Sequence, residues 1–117
     1  WEGLTYPEAL AAHPRALPDW SASPDVAPPG GESFTALARR VSRGRDAITA
    51  AYPQQTVVVV THVSPIKTLV RIALDAPPAS IFRLYLDTAS VSAIDYGADG
   101  NCAVRLFNDT SHLAGIP

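Results

Sequence analysis

Residues 56–74 read Thr-Val-Val-Val-Val-Thr-His-Val-Ser-Pro-Ile-Lys-Thr-Leu-Val-Arg-Ile-Ala-Leu, and this stretch decides the fold. Its first six residues are β-branched without a break. A run with no polar alternation predicts a strand buried on both faces, as parallel strands are. Ser64 is a good helix N-cap, and Pro65 suits the first helical position. Ile66, Leu69, Val70, Ala73 and Leu74 then recur at helical spacing. The stretch therefore predicts a strand over 56–61, a tight turn and a helix reaching 74.

That order places His62 at the carboxyl end of a strand, where open α/β sheets bind their ligands. The following helix turns its free N–H groups and the positive end of its dipole toward the same space. An anion suits such a place, phosphate above all. A histidine there donates a hydrogen bond to a phosphoryl oxygen, and its protonation makes that bond charge-assisted. By position alone, His62 reads equally well as a residue that caps the turn.

Outward from this centre, residues 31–52 predict the strongest helix. Phe34, Leu37, Ala38, Val41, Ile48 and Tyr52 keep helical spacing, and Pro53 ends the run. Residues 5–12 predict a short helix with Thr5 as N-cap and Glu8 three residues on. Residues 13–30 carry five of the eleven prolines and predict a surface loop. Beyond Pro77-Pro78 a short helix is expected around 79–84. Residues 89–96 and 102–108 predict two strands of a hairpin joined by Gly97-Ala98-Asp99-Gly100-Asn101. The last nine residues read as a tail.

The bulk numbers bound the class. The chain has 117 residues, enough for one domain over 1–117, and 47% of them are hydrophobic. With nine basic and eleven acidic side chains the net charge is −2, which argues against a nucleic-acid surface built on basic residues. No apolar run approaches a membrane span. The single cysteine, Cys102, excludes an intrachain disulfide and fits a reducing, cytoplasmic compartment. The Trp1-Glu2-Gly3 opening, without Met, reads as a cut in a longer sequence.

Other chemistry-bearing residues have structural readings beside the functional ones. Glu32 and Ser33 open the long helix, so a cap and a favourable first-turn charge explain them, while the functional reading puts them at a pocket rim. Trp1 either lines a substrate entrance or packs on the neighbouring helix. Arg39, Arg40, Arg43 and Arg45 read as a solvated face, and Lys67 as a solvent-facing lysine. His112 reads as a packing or turn residue and His13 as an exposed loop residue. His13, His62 and His112 lack metal-ligand spacing. Ser64 and Ser90 lack the Gly-x-Ser-x-Gly elbow. No phosphate loop or dinucleotide fingerprint is present.

Four motifs carry a resemblance. Thr61-His62-Val63-Ser64-Pro65-Ile66-Lys67-Thr68-Leu69 resembles the second-histidine motif of the histidine phosphatase (phosphoglycerate mutase-like) superfamily. Trp1-Glu2-Gly3-Leu4-Thr5 with Glu8 resembles that family's Trp-Glu-Gly-Leu-Thr segment. Pro29-Gly30-Gly31-Glu32-Ser33-Phe34, with Arg40 further on, resembles its Gly-Glu-Ser helix start. Asn108-Asp109-Thr110-Ser111-His112-Leu113 resembles its C-terminal signature. The finer likeness is to the acid phosphatase domain of actinobacterial bifunctional ribonuclease H/acid phosphatase proteins.

The resemblance implies a three-layer α/β/α phosphoglycerate mutase-like fold, incomplete because its first strands fall outside this chain. It implies a small phosphorylated substrate, no cofactor and no metal. In the family a first histidine, in an Arg-His-Gly motif, attacks phosphorus. A second histidine and two arginines bind the phosphoryl oxygens, and a glutamate protonates the leaving oxygen. Of these five, only the second histidine is carried over, onto His62, with the N–H of Val63 as an added donor. Glu2, Glu8 and Glu32 do not stand in for the glutamate. Leu17, Trp20 and the proline-rich loop are candidates for a lid.

The resemblance also places the family's first strand between 56–61 and 89–96. The chain by itself is then expected to expose unpaired edges and to be inactive, until a missing N-terminal segment or a second copy completes the sheet. The rival reading is a non-catalytic phosphatase-like module that binds a phosphorylated ligand or partner. Nucleic acid enters only through a fused domain.

Overall fold

Capping chemistry starts the first helix. The computed structural model describes residues 1–115. Helix α1 spans Tyr6–Ala12 with Thr5 as N-cap. The Glu8 carboxylate accepts hydrogen bonds from the Thr5 N–H at 2.7 Å and its hydroxyl at 2.6 Å, as the Thr-x-x-Glu spacing requires. The chain forms two compact units, Trp1–Arg40 and Val41–Pro117, and helix α3 (Phe34–Ala51) runs through the boundary.

In the first unit, the expected loop over 13–30 holds a helix, α2, over Ala16–Ala22. Pro18 disguised it. Proline is tolerated in a first turn, whose N–H groups have no helical partner, and Pro18 is the third residue of α2. Leu17 is buried there and the Ser21 hydroxyl donates to the Leu17 carbonyl at 2.9 Å. Helix α3 begins at Phe34, later than the expected 31, because the Ser33 hydroxyl accepts the Ala36 N–H at 3.1 Å and so caps it.

In the second unit, the segment 56–61 differs from expectation. It is no part of a strand ladder, and the four valines are exposed instead of buried on both faces. A β-branched run buries itself only when neighbouring strands and covering layers are present, and the described residues pair it with no strand and leave Val58 and Val60 almost bare. Helix α4 spans Val63–Ala73 with His62, not Ser64, as N-cap. His62 is extended (φ −117°, ψ 170°), and its carbonyl accepts the Ile66 N–H at 3.2 Å, so the first turn opens at Val63 and Pro65 is its third residue. Val70 and Thr68 are the deeply buried side chains of α4, while Leu74 is exposed beyond its end. The Arg71 guanidinium closes that end by donating to the Ala76 carbonyl at 2.8 Å.

The short helix at the proline pair is a 3-10 helix, Pro78–Arg83, which lies against α4 and holds the buried Ile81. The hairpin is present as β1 (Val91–Tyr96) and β2 (Cys102–Asp109), antiparallel, and both strands touch α4. At its tip Gly97 donates to the Asn101 carbonyl at 2.7 Å, and Gly100 takes φ +85°, a region open to glycine. The expected tail begins with Asp109 still in β2 and a 3-10 turn over Ser111–Leu113, while its last two residues lie outside the described residues. No helix among the described residues is long and apolar enough to cross a membrane.

Candidate phosphate-binding site

The start of α4 gathers three donors from adjacent residues. His62 is exposed, and its imidazole has no hydrogen-bond partner among the described residues. Behind it, the N–H groups of Val63 and Ser64 open the helix, where intrahelical geometry offers them no acceptor. Pro65 has no N–H, so this first turn has two main-chain donors and no third. Ser64 was not expected as a donor. The earlier helix start makes it one, and a reading that used Ser64 as the cap hid it. An imidazole, two N–H groups and the positive end of an eleven-residue helix can together coordinate a tetrahedral oxyanion.

The remaining candidates lie in the first unit. The Glu32 carboxylate is bound by Arg40: Nε donates to one oxygen at 3.1 Å and Nη2 to the other. The guanidinium holds the Glu32 pKa below the ordinary carboxylate value. Ser33 caps α3. Both residues thus have structural employment at the helix start, and Arg40 is the partner that fixes Glu32.

Trp1 packs edge-on against Trp20, with ring centroids 5.5 Å apart, and Trp20 lies 5.2 Å from the Phe34 ring. His13 is half-buried, its ring 6.2 Å from that of Trp1, and so is not the exposed loop residue expected. The Trp1 indole N–H is buried without an acceptor. Leu17 is core rather than lid surface.

In the second unit Arg45 also departs from the solvated face assigned to it. Its guanidinium lies 5.9 Å from the centre of the Tyr96 ring and pairs with Asp46 at 2.6 Å. His112 is exposed in the Ser111–Leu113 turn, and Lys67 is half-buried. An open surface depression is lined by Asp87, Thr88, Thr110, Ser111, Leu113 and Ala114, none of them a residue expected to bind phosphate.

Over 113 residues the chain is 50% identical to the bifunctional protein Rv2228c of Mycobacterium tuberculosis, a match covering 97% of this chain and 31% of that protein. Over 114 residues it is 29% identical to phosphoserine phosphatase 1 of Hydrogenobacter thermophilus, covering 97% of this chain and 54% of that one. Among solved structures, YhfR of Bacillus stearothermophilus matches with a TM-score of 0.84 at 30% identity, over 97% of this chain and 56% of its own. The chain thus spans from about a third to just over half the length of these proteins. It holds part of a phosphoglycerate mutase-like α/β fold. Residues 1–110 match the family model of the histidine phosphatase superfamily (branch 1), and the chain belongs to that superfamily.

Proposed function

We propose that this chain is the phosphate-holding part of a phosphomonoester hydrolase that works through a phosphohistidine. The observation that carries the reading is the start of α4: exposed His62 as N-cap, with the Val63 and Ser64 N–H groups unclaimed by the helix. The relatives support it, since one is named a phosphoserine phosphatase. In the complete enzyme a first histidine, supplied from outside residues 1–117, forms a P–N bond as the ester P–O bond breaks. A carboxylic acid gives the leaving oxygen its proton. Water then cleaves the P–N bond and releases inorganic phosphate. His62 and the two amides stabilise the transferring phosphoryl group, whose equatorial oxygens hold the charge.

On this reading the isolated 117 residues do not turn over. Substrate choice is set by segments outside this chain, and the protein is an intracellular, metal-independent enzyme of acid phosphatase type. Steady-state hydrolysis of a chromogenic aryl phosphate by the whole protein tests the assignment. His62→Ala is expected to lower kcat/KM by about a hundredfold or more, the scale for losing one preorganised donor to developing charge. Turnover unchanged by that substitution would refute the role given to His62. A whole protein without any Arg-His-Gly motif would instead be a binder of phosphorylated ligands.

A further inference from the structure

The first unit buries a donor that its own atoms leave unpaired. The Trp1 indole N–H has no acceptor, although its ring stacks edge-on with Trp20 and, through Trp20, reaches Phe34. An indole offers a donor and no acceptor, and a buried one ordinarily finds a partner. His13 lies against the same ring. Its imidazole is half-buried, with the two ring centroids 6.2 Å apart and the planes tilted by 47°. The main chain of His13 is fixed at the joint between α1 and α2: it is the C-cap of α1, and its carbonyl accepts the Leu17 N–H at 3.3 Å. Its imidazole makes no hydrogen bond or ion pair among the described residues. A donor without an acceptor thus adjoins an acceptor without a donor.

We propose that the neutral His13 imidazole accepts the Trp1 indole N–H, and that a proton taken up by that ring breaks the bond, which makes the pair a pH-sensitive latch on the α1–α2 joint. Neutral imidazole has one accepting nitrogen, and imidazolium has none. The last torsion of a histidine side chain is broad, so turning the ring about Cβ–Cγ brings a nitrogen to the indole edge while the main chain stays in place. The bond is present where the imidazole is neutral and is lost as pH falls and the ring becomes charged. No carboxylate is set to hold the charged ring. Glu8 is bound by Thr5, Asp25 by Thr35 and Glu32 by Arg40, while Glu2, Arg15 and Asp19 are exposed to screening water. Protonation therefore orphans the indole N–H inside the stack that joins Trp1, α2 and the first residue of α3, and the joint loosens.

NMR of the whole protein tests this. The Trp1 indole N–H signal is identified by its loss in Trp1→Phe and followed from about pH 8 to about pH 5, where histidine changes charge. At the upper end a nitrogen–nitrogen scalar coupling is expected between the indole and the His13 ring. As His13 titrates, that coupling should vanish. Protection of the indole proton, taken against free tryptophan at the same pH, should fall about tenfold or more, the scale for orphaning one buried donor. In His13→Gln and His13→Tyr, neither of which titrates in this range, protection should not change with pH. Protection that stays level in the unaltered protein, or that falls equally in both variants, would overturn the proposal: the first result assigns the acceptor to the main chain or a water, the second to another titrating group. The readout does not involve turnover, so its result stands whether or not the protein hydrolyses phosphomonoesters.

Discussion

The carboxamide of Asn108 holds Asp87 at two points. Its Oδ1 accepts the Asp87 main-chain N–H at 2.7 Å, and its Nδ2 donates to the Asp87 carboxylate at 2.8 Å. Asn108 sits in a bulge of β2, where Phe107 and Asn108 together oppose Ser92, and its φ is +56°. Its own N–H donates to the Ser92 hydroxyl at 3.1 Å. The C-terminal signature thus works as a clamp between the hairpin and the segment that leads into it. Asn108→Ala is expected to destabilise the whole protein by about 3 kcal/mol, the sum of an orphaned part-buried N–H and the strain of a left-handed alanine. Asn108→Gly relieves the strain and should cost about 2 kcal/mol. Urea unfolding midpoints of the two variants separate the terms, and equal losses would remove the conformational part of the account.

The amide of Val63 can be deleted without disturbing the helix that presents it. Proline is welcome at the first position of a helix, and His62 already occupies the extended region that a residue before proline prefers. Val63→Pro should therefore leave the melting temperature of the whole protein within about 2 °C while lowering kcat/KM for a phosphomonoester by about tenfold or more. Val63→Ala, which keeps the N–H, is the control. If the two variants lose the same activity, the main-chain donor has no part in holding phosphate.

Much of this was legible in the sequence, for reasons that differ by element. Thr5 with Glu8, Gly97 to Asn101, and the apolar spacing of Leu37 and Val41 are local signals, and local hydrogen bonds and packing honour them. The valine run was legible as a strand only in a context that supplies neighbours; burial belongs to the partner strands as much as to the valines. Helix α2 was hidden because Pro18 and Pro14 count as loop residues in a composition-based reading, although a first turn accepts proline. The start of α4 was misplaced by two residues because Ser-Pro is a strong cap signal, and the carbonyl of His62 overrode it by accepting from Ile66. Arg45 over Tyr96 joins residues far apart in sequence, which helical spacing does not encode.

The capping box gives a pH signature. The Thr5 hydroxyl and N–H both donate to Glu8, hydroxyl first, and hold its pKa below the ordinary carboxylate value. The folded pKa is the lower one, so the contribution to α1 is present above the unfolded pKa and is lost as pH falls through the folded one. A carboxylate-resolved NMR titration should show Glu8 titrating below the free-peptide midpoint. Thr5→Ala should move that midpoint part of the way back, because the main-chain donor remains. No movement would mean that the hydroxyl bond is not formed in solution.

A charge placed on the bare valine face should have opposite effects in two contexts. In the isolated 117-residue chain Val60 is 94% exposed, so Val60→Lys buries nothing. It adds a cation to an open edge, which is how natural edge strands resist pairing with further chains. Light scattering of the isolated chain is therefore expected to fall, and its soluble fraction to rise. In a whole protein that buries 56–61 on both faces, as its β-branched run predicts, the same side chain lies under a covering layer, and an unpaired ammonium there costs several kcal/mol or forces the local structure open. Thermal unfolding of the whole-protein variant should therefore drop by about 10 °C or more. Val58→Lys, at 86% exposure on the same face, should behave alike. A lysine tolerated in both contexts would mean that this face meets water in the complete protein too, and that Val58 and Val60 are exposed in the native state.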